Sequence, residues 1–251
     1  MDDKQLSPTK RRNEAGELIV SGRIWSAVWF LAWPTAINTL IMTAYSIINR
    51  VFLGRLPDAS EALAAVGIGG AALMVQFALT IGLTAGTGAL VTQCLGGEKY
   101  EDADEATRQS LILSLVGAVI SAIPLIIWAA PMVKLIGAKG AVVPLAADYT
   151  AIITWASIPL FVYMAAITAL RSAGDVISAL YAGAAVVAIN AILDLVLIFG
   201  IGPFPAMGVR GAAIATGISR VVGMVITLWF LRRSVLGDSL SHFRPHLGFA
   251  R

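Results

Sequence analysis

The 251 residues are 58% hydrophobic and only 13% charged, with a mean hydropathy of +0.82, whereas soluble domains carry roughly 25% charged residues. The net charge is small, +3, and the single cysteine, Cys94, excludes a disulfide framework. The apolar stretch after Arg23 is also too long for a signal-peptide core of about 7–15 residues and lacks a small-residue exit.

In chain order, the polar, mixed-charge segment 1–23 reads as a cytoplasmic N-terminal tail. The stretches 24–49, 62–97, 109–133 and 149–170 contain no Asp, Glu, Lys or Arg. Each exceeds the roughly 20 residues that cross a bilayer. Two further stretches, 176–200 and 208–231, are interrupted within their apolar runs by Asp194 and by Arg220, with Arg210 near the start of the second. Spans are predicted at about 24–53, 61–95, 104–130, 141–170, 176–200 and 208–231, separated by short turns such as Leu56-Pro57-Asp58 and Gly202-Pro203-Phe204-Pro205. Segment 234–251, where the apolar pattern stops, reads as the start of a cytoplasmic linker. The predicted fold class is all-α, a polytopic membrane bundle of six transmembrane helices spanning 24–233.

Loop charges set the predicted orientation. Six spans put both termini on one side, and that side holds Lys4, Lys10, Arg11, Arg12, Arg23, Lys99, Arg108, Arg171, Arg232, Arg233, Arg244 and Arg251. The opposite loops hold only Arg50, Arg55, Lys134, Lys139 and Arg210. The positive-inside bias places both termini in the cytoplasm of an inner, plasma-membrane protein. The same distribution argues against nucleic acid as a partner, since the basic residues lie between spans and not along one face.

Polar groups at membrane depth are costly and mark candidate sites. Asn190 and Asp194 lie four residues apart, one above the other on a helix face, and Thr216 and Arg220 share that spacing. The first span carries a stripe at Thr35, Asn38, Tyr45 and Asn49. From the 1.5 Å rise per residue, Asp194, Thr216 and Asn49 lie roughly 10, 12 and 7 Å in from the outer ends of their spans, near one level. A carboxylate, an amide oxygen and a hydroxyl there suit a hard cation such as Na⁺, and a proton is the alternative occupant of a desolvated carboxylate.

Structural readings stand beside this one. Intramembrane Asn and Thr serve as interhelical hydrogen-bonding glue, and an Asp194–Arg220 ion pair would merely tie two spans together. Asp148, near the outer end of its span, reads as solvated. Phe161 and Tyr163 read as packing residues with cavity lining as the alternative, and Pro34 as a static or a moving bend of the first span. Glycine-rich runs at Gly67 to Gly86 and Gly208 to Gly223 read as close helix contacts. No GxxxxGK[ST] motif occurs and both histidines lie in the tail, which removes a P-loop and a membrane Ser–His dyad. The chain is not expected to be an enzyme.

The strings "NRVFLGRLPDASEALAAVGIGG" at 49–70, "GTGALVTQCLGGEKYEDA" at 86–103, "ALRSAGD" at 169–175, "INAILDLVLIFG" at 189–200 and "MGVRGAAIATGISR" at 207–220, with Pro34 before them, resemble the N-terminal lobe of multidrug and toxic compound extrusion (MATE) transporters. The resemblance implies a six-helix lobe, half of a twelve-helix transporter that exports cationic or amphipathic compounds in exchange for Na⁺ or H⁺. It places Asn190, Asp194 and Thr216 in a polar cavity and Pro34 at a bend of the first helix. It implies no cofactor beyond the coupling ion. Asn49 departs from it, since many members carry an aspartate there. Length departs too, so the expectation is a partial chain, or a half-transporter needing a second six-helix lobe or a dimer mate. A lipid-linked saccharide flippase and a non-transporting membrane scaffold remain as alternatives.

Overall fold

The computed structural model of the protein describes residues 24–237, and all its regular structure there is helical. In chain order the helices are α1 (Ile24–Leu53), α2 (Ala59–Ala72), α3 (Met74–Gly96), α4 (Tyr100–Ile127), α5 (Ala129–Ile136), α6 (Val142–Trp155), α7 (Ser157–Ser172), α8 (Val176–Phe199) and α9 (Gly208–Arg233). Helices α1, α3, α4, α8 and α9 are long and apolar enough to cross a membrane, and α6 with α7 makes a sixth crossing when taken as one bent span. The expected tail 1–23 and the linker beyond 237 lie outside the described residues.

Two of the six predicted spans are broken. The span expected at 61–95 divides at Leu73, whose N–H donates to the carbonyls of Gly69 and Gly70 at 3.3 and 3.2 Å. The adjacent Gly69-Gly70 pair supplies no side chain to stiffen that turn, a recognised cause of helix kinks. The span expected at 141–170 bends by 43° between α6 and α7. Pro159 is the physical cause, because it has no N–H for the Trp155 carbonyl and its ring crowds that carbonyl. The hydroxyls of Thr150, Thr154 and Ser157 donate to the carbonyls of Ala146, Thr150 and Thr154 at 2.6–2.7 Å, back-bonding that also favours bending.

The remaining boundaries follow from local chemistry. Glu101 and Asp102 in the first turn of α4 suit the positive end of its dipole. Asp175 caps α8 by accepting from the Ser178 N–H at 3.1 Å, and α8 stops at Gly200, whose φ of +72° is left-handed. The turn then returns the chain so that Met207 N–H donates to Leu197 C=O at 2.9 Å, and α9 runs back along α8.

Close packing rests on small residues. A Cβ on Gly211 would meet the Leu197 carbonyl oxygen at 2.5 Å, so α9 touches the backbone of α8 there. Gly67, Gly70, Gly82 and Gly86 have open space where a Cβ would stand, so the first glycine run, apart from Gly69 against Tyr149, does not mark a tight contact. A central alanine-rich layer joins Ala103 and Ala106 of α4 to Ala165, Ala166 and Ala169 of α7, with Leu231 of α9. Phe161 and Tyr163 are buried; Tyr163 packs in a cluster with Ile167 and Ala179, while Phe161 also lines a pocket. The outward faces are apolar, with Trp25, Trp29, Ile120, Trp128 and Leu135 exposed, as lipid-facing positions require. Helix α1 is the least covered crossing and rests mainly on α8.

Candidate ion-binding site between α1, α8 and α9

Helix periodicity puts Tyr45 and Asn49 of α1, Asn190 and Asp194 of α8, and Thr216 and Ser219 of α9 on facing surfaces. Asn190, Asp194 and Ser219 are each 1% exposed, while Tyr45 and Asn49 are half-buried. Asn49 Nδ2 donates to Asp194 Oδ2 at 3.2 Å, which ties α1 to α8. Asn190 Nδ2 donates to Thr216 Oγ1 at 3.4 Å and to Ser219 Oγ at 3.2 Å, which ties α8 to α9.

The hydroxyls impose an order on this network. Thr216 donates its hydrogen to the Ala212 carbonyl at 2.9 Å and Ser219 donates to the Thr216 carbonyl at 2.9 Å. Toward the site both oxygens therefore only accept. Tyr45 must then be the donor in its 3.3 Å contact with Thr216, and Asn190 must turn its amide nitrogen toward α9. That orientation leaves Asn190 Oδ1 without a partner. Asp194 Oδ1 is likewise buried and unpartnered. Two acceptor oxygens, one turn apart on one face of α8, thus stand orphaned in a low-dielectric interior, where each lacks a compensating donor.

The expected site residues Asn49, Asn190, Asp194 and Thr216 are brought together. Tyr45 and Ser219 join them; the first was legible only as part of a polar stripe, the second only as a small residue. Asn38 of the same stripe is buried against α8, its amide oxygen where a Cβ on Gly183 would stand, and Thr35 is exposed. Pro34 lies within α1, but its side chain is outside the described residues. Arg220 makes no ion pair with Asp194 within 4 Å, and its side chain instead lines a pocket beside α3 and α7. The side chain of Asp148 is solvent-exposed, as expected, and forms an exposed salt bridge with Arg210 of α9. Among the described residues there is no cluster of three or more His, Cys, Asp or Glu. The oxygen set here has one carboxylate, suited to a monovalent cation or a proton and not to a tightly held divalent metal.

Comparison with known proteins gives a consistent picture. The MatE family profile matches residues 34–196. The chain is 30% identical over 215 residues to a protein named FAD transporter from Shewanella oneidensis, covering 85% of this chain and 47% of that one. It is 26% identical over 210 residues to the probable multidrug resistance protein YoeA of Bacillus subtilis, covering 84% and 45%. A crystal structure of MATE in the bent conformation superposes with a TM-score of 0.78 at 28% identity, covering 97% of this chain and 52% of that one. The chain therefore spans about half the length of the relatives it matches.

Proposed function

The chain belongs to the MatE family, and on that premise we propose that it is the ion-coupled lobe of a secondary antiporter that exports cationic or amphipathic small molecules. Asp194 carries the coupling charge, and Asn190, Thr216 and Asn49 complete its polar shell. The observation that carries this reading is the pair of buried, unpartnered oxygens, Asp194 Oδ1 and Asn190 Oδ1, with the Asn190 amide oriented by hydroxyls that only accept and Asp194 held through its other oxygen by Asn49. A buried carboxylate with no cation of its own needs an external one, Na⁺ or H⁺.

Coupling follows from the same bonds. Asp194 offers one oxygen to Asn49 of α1 and the other to the ion, so occupancy changes how firmly α1 is held against α8. An occupant that favours one arrangement of α1 over another shifts the population by its differential affinity. Pro34, inside that weakly covered helix, is the proposed hinge. Both termini face the cytoplasm in this reading, and a second six-helix lobe, in a longer chain or a second copy, completes the cleft.

The scaffold alternative needs Asp194 locked against Arg220, and no such ion pair forms. The flippase alternative needs a strongly basic cavity, and the Asp194 cluster contains no basic residue. One relative's name, FAD transporter, widens the range of candidate cargo to a large amphipathic anion without changing the coupling site. Whole-cell dye efflux under an imposed Na⁺ or pH gradient tests the reading. Asp194→Asn in the complete transporter should abolish gradient-driven efflux while leaving the protein in the membrane; unchanged efflux overturns it.

A further inference from the structure

The second polar feature at membrane depth adjoins the Asp194 cluster on the far side of α9 residue Thr216, one turn from Arg220. The discontinuity between α2 and α3 and the proline bend between α6 and α7 face one pocket, lined by Leu73, Gln76, Thr80, Ser157, Phe161 and Arg220. Irregular backbone at this depth is tolerated where it lines an internal cavity. Arg220 keeps its charge in any protein environment. Yet no described carboxylate lies within 4 Å of it. The half-buried guanidinium thus has no ionic partner among the described residues.

The other polar groups of the pocket are already committed, with one exception. Thr80 donates to the Gln76 carbonyl at 3.0 Å and Ser157 to the Thr154 carbonyl at 2.6 Å. Gln76 donates its amide nitrogen to Ser121 Oγ at 3.1 Å, and Ser121 passes its own hydrogen to the Ala118 carbonyl. Gln76 Oε1 is left buried and unpartnered, on a side chain 2% exposed. The residues that line the pocket therefore include a fixed cation and an unused acceptor. Its volume of about 30 Å³ suits one or two occupants of water size.

We propose that this pocket is a binding site for a small inorganic anion of halide size, held by Arg220. A water beside it donates one hydrogen to the anion and the other to Gln76 Oε1. The anion supplies the counter-charge that the fold withholds from Arg220. The proposal does not rest on the ion-coupling reading, because neither Arg220 nor Gln76 hydrogen-bonds or ion-pairs with Asp194, and its test reads binding to this chain alone.

The test is the melting temperature of the purified full chain in detergent, in chloride and in gluconate at matched ionic strength; gluconate is too large for the pocket. Chloride should raise the wild-type midpoint saturably by about 2–4 °C, and Arg220→Gln should remove the dependence. Gln76→Glu places a fixed negative charge in the pocket wall, within one water of the anion's position, and so supplies the counter-charge itself. It should bring the gluconate midpoint up to the chloride value and abolish the chloride effect. Equal wild-type midpoints in the two salts overturn the proposal whatever the variants do, as does a chloride effect that persists in Gln76→Glu.

Discussion

Asn49 Nδ2 donates to Asp194 Oδ2 across 3.2 Å, so the least covered helix of the bundle is anchored through the buried carboxylate. The half-buried amide stands where a second acid would create a like-charge pair. With Asn49, Asp194 gains a donor and keeps its other oxygen free.

Replacing Asn49 with Asp should remove that donor and add a second acceptor of negative charge. Two close carboxylates cannot both stay ionised without a cation between them. Cation affinity is expected to rise and to depend more steeply on pH, as read by Na⁺ titrations at several pH values. A variant with unaltered Na⁺ affinity and pH dependence would contradict the role given to this pair.

The acceptor-only hydroxyls make a separate prediction. Thr216→Val or Ser219→Ala removes an oxygen that fixes the Asn190 amide, leaving Asn190 Oδ1 free to turn away from the site. Cation affinity should fall by about tenfold, equivalent to ~1.4 kcal/mol, in equilibrium binding to the purified chain. Equal loss of binding and of melting temperature would mark these residues as structural ties only.

Glycine positions separate close contacts from open ones. Gly211→Ala forces a methyl group into the Leu197 carbonyl, and overpacking of this kind costs about 1–3 kcal/mol. Gly82→Ala meets nothing within 4 Å and lies within α3, where alanine is the better helix former. Melting in detergent should therefore drop for the first and hold or rise for the second. The reverse order would show that α8 and α9 do not approach as described.

The bend between α6 and α7 gives a further test. Pro159→Ala restores an N–H for the Trp155 carbonyl and should straighten the junction. Spin labels placed at the two ends of the broken span should then report a longer separation than in the native chain. An unchanged separation would assign the bend to the hydroxyls of Thr150, Thr154 and Ser157.

Much of this was legible in the sequence, for reasons tied to particular residues. Charge-free stretches located the crossings because lipid tolerates few ionisable groups, and i, i+4 spacing put Asn190 and Asp194 on one face. The breaks at Leu73 and Ala156 were not legible from hydropathy, since both halves of each span are equally apolar; Pro159 and the Gly69-Gly70 pair were the available signals. The separation of Arg220 from Asp194 was also hidden. Their spacing along α8 and α9 allows a pair, and only the placement of α3 and α7 shows that Arg220 has a pocket of its own.

The central claim is that Asp194 holds the coupling ion. Equilibrium binding of radioactive Na⁺ to the purified chain, with simultaneous measurement of proton release, tests it most directly. The account predicts saturable Na⁺ binding, or proton uptake and release in its place, that Asp194→Asn abolishes while the chain keeps its helical content. Binding and proton exchange of native size in Asp194→Asn would contradict it.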